Sequence, residues 1–290
     1  MLPSGYTNHN RLRDYSSLFS RNQVLSWFNN DFSSIYAKII RYDWQLLNKQ
    51  NWTYLKYLKK IYKTIEREYQ NEYVLKNSFL NQWLREQLGG DDSVIFNEYR
   101  VGKAIADLVM FNGVSKAFEI KTELDSNSRL LNQLENYKKA FNEVYIIVPE
   151  SKLNLYNKVE SDVGIITFKK DNKNKFTLIR KAKQQLLIDA KVIMNMLHSK
   201  EYKALVKSYY GMLPIMTSFN QYDICSKLMS QIPNLILNKL YLKTMKSRKP
   251  KNHISYKSHK EFNQLSLALN LSKHQYDKLL LNLKQTINIE

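Results

Sequence analysis

Glu98, Asp107, Glu119 and Lys121 stand at positions that read as strand interior, within the stretch Phe96–Leu134, FNEYRVGKAIADLVMFNGVSKAFEIKTELDSNSRLLNQL. Moving an unpaired carboxylate out of water is costly, so such groups are paired, protonated or bound to a cation. Three carboxylates and an ammonium on one sheet face suit hydrolytic metal chemistry. Mg2+ takes oxygen ligands, keeps several waters and accepts phosphate oxygens. A bound divalent ion polarises a phosphoryl group and supplies a nucleophilic hydroxide. Lys121 follows Glu119 by two residues and so points the same way. It could orient or deprotonate the attacking water, or neutralise charge building on the phosphate.

Whether the four can meet depends on two turns. Gly102-Lys103 reads as a two-residue hairpin loop, which pairs Val101 with Ala104 and places Glu98 opposite Asp107. The second turn contains Asn112-Gly113. A two-residue loop there would pair Phe111 with Val114 and send Asp107 and Glu119 to opposite faces. A three-residue loop, Phe111 to Gly113 with Gly113 left-handed, pairs Met110 with Val114 instead. Asp107 then lies opposite Ala117, Glu119 lies opposite Ile105, and all four charged groups share a face. The catalytic reading requires this bulged turn.

Asp107 followed by Glu119-Ile120-Lys121 resembles the signature of the PD-(D/E)XK nuclease superfamily, closest to an uncharacterised bacterial branch of it. In that resemblance a glutamate strand leads into an Ala-Asp strand and a Glu-Ile-Lys strand. Asp125, Arg129-Leu130 and Gln133 match the positions that follow. Ala106 stands where the superfamily name has proline. The likeness covers about residues 77 to 170. It implies a restriction-endonuclease-like αβββαβ core with a mixed central sheet, an α/β fold. It also implies a metal-dependent nuclease using Mg2+ or Mn2+, with Asp107, Glu119 and Glu98 as ligands. Lys121 and Gln133 join them as catalytic residues.

The chain has 290 residues and a formal net charge of +19, from 45 basic and 26 acidic residues. That balance favours a polyanionic partner, and with the motif it points to nucleic acid, DNA before RNA. No apolar run approaches the ~18 residues of a membrane span. The N-terminus, MLPSGYTNHNRLRDYSS, lacks the apolar region of a signal peptide. The single cysteine, Cys225, excludes an intramolecular disulfide and zinc held by cysteines. Cytoplasmic residence is the simplest expectation from these features. His9, His198, His253, His259 and His274 are scattered without ligand spacing. An oligomer is possible but not derivable from the sequence.

Three regions are expected: an N-terminal helical region 1–76, the nuclease-like core 77–182, and a C-terminal helical region 183–290. In the first, Trp52-Leu55-Leu58-Ile61-Tyr62-Ile65 forms an apolar helical stripe with Lys56, Lys59, Lys60 and Lys63 on other faces. The 15 aromatic residues from Tyr6 to Tyr73 could stack on unpaired bases, but their regular helical spacing favours a core of their own. Residues 75–88 read as an amphipathic helix ended by Gly89-Gly90. Arg85 and Glu86 lie on it, and Glu86 could reach a metal site, though a solvated face is the simpler reading. The meander is expected at Val94–Val101, Ala104–Phe111 and Val114–Thr122. A helix capped by Ser126 or Asn127 follows, with the stripe Leu130-Leu134-Tyr137-Phe141 on the sheet and Gln133 facing inward. Val144–Val148 should return parallel to the third strand. Val163–Phe168 and Phe176–Ile179 form a hairpin around Asp171–Asn174.

Beyond residue 183, Leu186-Ile188-Val192-Met196 opens a helix, Ile224–Lys243 is a helix kinked at Pro233, and Leu265–Ile287 ends the chain as a helix. Between them, 246–260 reads as an exposed basic loop. Lys246, Arg248, Lys249 and Lys251, with Arg129 of the core, are the candidate phosphate contacts. A solvated linker explains the same loop equally well. Three functions are compatible with these features: a DNA nuclease working through the Glu/Asp/Glu-x-Lys site, a catalytically inactive nuclease-fold module that binds nucleic acid, and a structural protein whose carboxylates form ion pairs.

Overall fold

The computed structural model describes residues 7–46, 52–69, 71–88, 93–123, 125–169, 175–248, 253–255 and 257–287. The chain divides into two compact units, one of Met1–Gln87 with Lys251–Glu290 and one of Leu88–Lys169 with Asn174–Pro250. This division differs from the three expected regions. Residues 183–250 join the unit of the sheet, while 251–290 join the N-terminal helices. The segment 77–87, expected as the first helix of the core, belongs to the N-terminal unit.

The N-terminal unit is helical, with helices at Asn8–Ser17, Arg21–Phe28, Ser33–Tyr42, Tyr54–Glu68 and Glu72–Ser78. Thr53 caps the fourth by accepting from the Lys56 N–H at 3.2 Å. Its stripe Leu55, Leu58, Ile61, Tyr62 and Ile65 is buried as the spacing predicts. Tyr15, Phe19, Trp27, Tyr57 and Tyr62 fill the same core, as the regular spacing predicts, while Trp44 is exposed. The expected helix 75–88 begins earlier, at Glu72, and changes to a π-helix over Phe79–Leu88. The side chains of Arg85 and Glu86, and Gly89-Gly90, lie outside the described residues. The expected terminal helix is two, Asn263–Ala268 and Lys273–Leu283. The chain breaks where Asn270 turns left-handed (φ +50) and Ser272 starts the next helix with a capping box.

The second unit holds a mixed α/β arrangement around a six-stranded sheet in sequential order. Its strands are β1 (Val94–Val101), β2 (Ala104–Asn112), β3 (Val114–Ile120), β4 (Glu143–Pro149), β5 (Gly164–Phe168) and β6 (Phe176–Arg180). β1, β2 and β3 form the expected antiparallel meander. β4 runs parallel to β3 after the helix Leu130–Lys138, and β5 runs parallel to β4. β4 is buried throughout, which explains its unbroken apolar run. β6 closes an antiparallel hairpin whose tip, Asp171–Asn174, lies outside the described residues.

Helices Ala190–Met196, Ser199–Tyr210, Gln221–Gln231 and Asn234–Ser247 complete this unit. The first starts later than the stripe from Leu186 predicts, at the Asp189 cap, whose side chain accepts from the Lys191 and Val192 N–H groups. Pro233 does not kink one helix. It separates two, because the ring removes the N–H that would continue the first.

Candidate active site

The hairpin β1–β2 has the expected two-residue loop, with Val101 paired to Ala104. Gly102 is left-handed (φ +56), and a Cβ there would meet Asn136 Oδ1 at 2.6 Å. Asn136 accepts from the Lys103 N–H, so the turn is fastened to the helix Leu130–Lys138. The β2–β3 turn differs from expectation. The ladder runs up to Asn112↔Val114, with Gly113 alone (φ +67) reversing the chain. The pairing is therefore shifted by two residues from the bulged register. A shift of two leaves each side chain on its face. Asp107 and Glu119 thus keep a common face, and the register extrapolates to place them directly opposite each other.

The β2–β3 ladder stops one pair short of them, at Leu108↔Phe118. Continued pairing would bring Ile120 against Ala106. Instead the Ile120 N–H donates to Asp107 Oδ2 at 2.8 Å, so the carboxylate replaces a backbone acceptor where β2 leaves β3. The β1–β2 ribbon also turns over here. Phe96, Val109 and Phe111 pack into the core cluster before this point; Tyr99, Val101, Ala104 and Ala106 pack into it after. The spacing changes parity across Glu98 and Asp107. Glu98 itself has a left-handed backbone, φ +49, a costly state for a residue with a Cβ.

Glu119, Lys121, Gln133 and Tyr137 close into one network. Lys121 Nζ lies 2.8 Å from Glu119 Oε1 and 3.0 Å from Gln133 Oε1. Gln133 Nε2 donates to the same Glu119 oxygen at 2.7 Å, and Tyr137 Oη lies 2.7 Å from Glu119 Oε2. Both members of the Glu119–Lys121 pair are buried. Burial raises the Glu119 pKa above the usual carboxylate range, the Asp107 charge adds to the rise, and Lys121 opposes it. Burial and then the Glu119 charge hold the Tyr137 phenol well above its ordinary range. Tyr137 Oη also lies 2.7 Å from the Ile105 carbonyl oxygen. The one hydroxyl donor is thus shared between the Ile105 carbonyl and Glu119 Oε2.

Four of the expected site residues, Asp107, Glu119, Lys121 and Gln133, thus come together. Glu98 keeps its expected position opposite Asp107 in the register, but it is exposed. Arg129, not Ser126 or Asn127, occupies the N-cap position of the following helix, and it is exposed. Arg248 is not on an exposed loop. It binds Glu201 through two nitrogens at 2.7 Å each and donates to the Met196 carbonyl at 2.8 Å and to Tyr99 Oη at 2.5 Å. A guanidinium so engaged is withdrawn from phosphate contact. Lys246 lies in the last turn of its helix rather than in a loop. Lys249 and Lys251 lie outside the described residues. Tyr137 is the site residue that sequence reasoning missed: its place in the apolar stripe was legible, its hydroxyl contact was not.

Among the described residues, no group of three or more His, Cys, Asp or Glu side chains is set to hold a metal ion. Two carboxylates remain, Asp107 and Glu119, close enough for one charge to raise the other's pKa. Mg2+ commonly uses one or two protein carboxylates and completes its shell with waters and phosphate oxygens. The pair offers the hard oxygen donors that Mg2+ or Mn2+ takes, while both Glu119 oxygens are bonded to Lys121, Gln133 and Tyr137.

A family profile of bacteriophage P4 protein cII matches residues 65–272, a span that contains the whole network. The chain belongs to the bacteriophage P4 protein cII family. Protein cII of Enterobacteria phage P4 is 34% identical over 134 residues, which is 45% of this chain and 51% of that protein. The chain thus spans about half the length of this curated relative. Among solved structures, the SPO1766 protein of unknown function from Silicibacter pomeroyi is similar with a TM-score of 0.31 and 14% identity, over 48% of this chain and 92% of that one. Among the described residues of this family member, no helix is long and apolar enough to cross a membrane.

Proposed function

We propose that the chain is a metal-dependent nuclease of the restriction-endonuclease-like class that hydrolyses DNA phosphodiester bonds in the cytoplasm. The observation that carries this reading is the convergence of Glu119, Lys121 and Gln133 on one buried hydrogen-bond network beside Asp107, at the point where β2 and β3 separate. A parting of two strands opens a sheet face without breaking the sheet behind it.

Asp107 and Glu119 would hold Mg2+ or Mn2+, which when bound polarises the phosphoryl group and lowers the pKa of water. Lys121 brings a fixed ammonium to the same face, where it neutralises charge developing on the phosphate oxygens. Gln133 orients both Glu119 and Lys121 through its two amide ends. Tyr137 fixes the second oxygen of Glu119 and holds it in one rotamer. The net charge of +19 supplies sequence-independent affinity for a polyanion.

A second reading is a catalytically inactive nuclease-fold module that binds nucleic acid. It is favoured by the engagement of both Glu119 oxygens with partners inside the protein. Incubating the chain with plasmid and with labelled linear DNA, with and without Mg2+ or Mn2+, separates the two. Metal-dependent cleavage that disappears in Asp107→Ala and Lys121→Ala, with DNA binding retained, is the expected result. No cleavage by the intact chain in either metal, with DNA binding retained, would leave the binding module. Neither cleavage nor binding would leave a structural protein whose carboxylates form ion pairs.

A further inference from the structure

The helix Tyr54–Glu68 carries a face that the sheet network does not use. Lys56, Lys59, Lys60, Lys63 and Arg67 recur at helical spacing opposite the buried stripe. With Thr64 they line a groove of about 410 Å3 that has no carboxylate among its lining residues. A second hollow of about 380 Å3 shares Lys59 and Lys63 and adds Lys260, with Glu66 and Glu261 also in its lining, so the carboxylate-free groove is the stronger anion site. The opposite face is locked in the core by Leu58, Ile61 and Ile65, each fully buried, so the basic face cannot roll inward.

Like charges at i,i+3 and i,i+4 repel on a helix surface. Ion pairs reach several of these cations. Lys60 lies 2.6 Å from Asp43, Lys59 lies 3.5 Å from Glu261, and Arg67 pairs with Glu68. Lys63 makes no ion pair among the described residues, and Lys56, Lys63 and Arg67 are exposed.

We propose that this face is a docking surface for the sugar–phosphate backbone of a nucleic-acid duplex. From Lys56 to Arg67 the helix rises roughly 16 Å, the length of about five phosphates along one strand of a duplex. Tyr57 and Tyr62, which neighbour Lys56 and Lys63 on this helix, are buried and offer no stacking surface to unpaired bases. Half-buried Trp52 is already engaged by Lys60, whose Nζ lies 6.0 Å from its ring. Phosphates are therefore the groups recognised, and binding is independent of base sequence. The surface acts whether or not the sheet network cleaves.

The test uses the full-length chain in EDTA and a short labelled DNA duplex, with affinity measured over a series of KCl concentrations. The variant Lys56→Gln/Lys63→Gln/Arg67→Gln changes only exposed side chains, and an unchanged thermal unfolding curve verifies its fold. Its affinity should fall at least about tenfold at low salt, and its slope of log affinity against log salt should flatten by ~2–3. Unlabelled duplexes of unrelated sequence, DNA or RNA, should compete equally. An unchanged affinity and slope in the folded variant would overturn the proposal. So would loss of binding to phosphatidylserine vesicles with DNA affinity intact, which would assign the face to an anionic membrane. A chain that does not cleave but loses slope in this variant refutes the nuclease and keeps the docking surface. A chain that cleaves with an unchanged slope does the reverse.

Discussion

Tyr137 Oη stands 2.7 Å from Glu119 Oε2, and that contact joins the helix behind the sheet to the buried acid on β3. The same hydroxyl reaches the Ile105 carbonyl at 2.7 Å, just where β2 has left β3. Tyr137→Phe keeps the ring in the core and removes only the oxygen. A buried acceptor left without its donor costs about 1–3 kcal/mol. Urea unfolding of the variant should show a loss in that range with an unchanged m-value. Wild-type stability in Tyr137→Phe would mean that the hydroxyl bonds are not formed in solution.

Glu119 gives the protein a distinctive pH dependence. Burial, then the charge of Asp107, holds its pKa above the ordinary carboxylate value. Between about 4.3, the unfolded value for Glu, and its folded pKa, the folded chain keeps a proton that the unfolded chain has lost. Stability therefore falls as pH rises through that window. The contribution is fully present below it and lost above it. Glu119→Gln should flatten that part of the stability–pH curve. Asp107→Asn should move the loss to lower pH, because it removes a cause of the shift. A window at the same pH in Asp107→Asn would show that the two acids do not interact.

The parts of this arrangement that were legible in the sequence are those set by period. Alternation and apolar runs place all six strands, and the stripe Leu130-Leu134-Tyr137 turns Gln133 toward the sheet. Asp107 and Glu119 share a face even though the turn differs from the bulged one expected, because the observed register is shifted from it by two residues, which leaves the faces unchanged. What period does not carry was missed. Nothing local says that β2 parts from β3 at Asp107, or that Glu98 takes a left-handed backbone. The sequence around Lys246–Lys260 looked like a loop because it lacks apolar periodicity. Arg248 is nevertheless held by Glu201 and Tyr99, partners distant in sequence.

Gly164 opens β5 because no side chain fits there. A Cβ at this position would lie 2.3 Å from the Tyr145 ring on β4 and 2.8 Å from the Ala182 backbone nitrogen. The ring is buried and stacked on Phe118 at 5.5 Å, so it cannot swing aside cheaply. Gly164→Ala should destabilise the fold by about 1–3 kcal/mol, the range for overpacking a filled core. Thermal unfolding that matches the wild type would show that Tyr145 has room to move.

Arg248 is expected to act on stability and not on nucleic-acid affinity. Its guanidinium ties the end of the helix Asn234–Ser247 to Glu201, to the Met196 carbonyl and to Tyr99. Side-chain exposure is 14% for Arg248 and 19% for Glu201, so the pair is only lightly screened by solvent. Removing one partner of a largely buried ion pair leaves the other charge uncompensated, at a cost of about 3 kcal/mol. Arg248→Gln should therefore lower the unfolding midpoint. Glu201→Gln/Arg248→Gln should cost less than the two single losses added together, because the pair is broken only once. Below its lowered unfolding temperature, Arg248→Gln should bind a DNA duplex with the wild-type salt slope, since no phosphate contact has been lost. A flattened slope with undiminished stability would return Arg248 to the nucleic-acid surface and undo the assignment of its role to the fold.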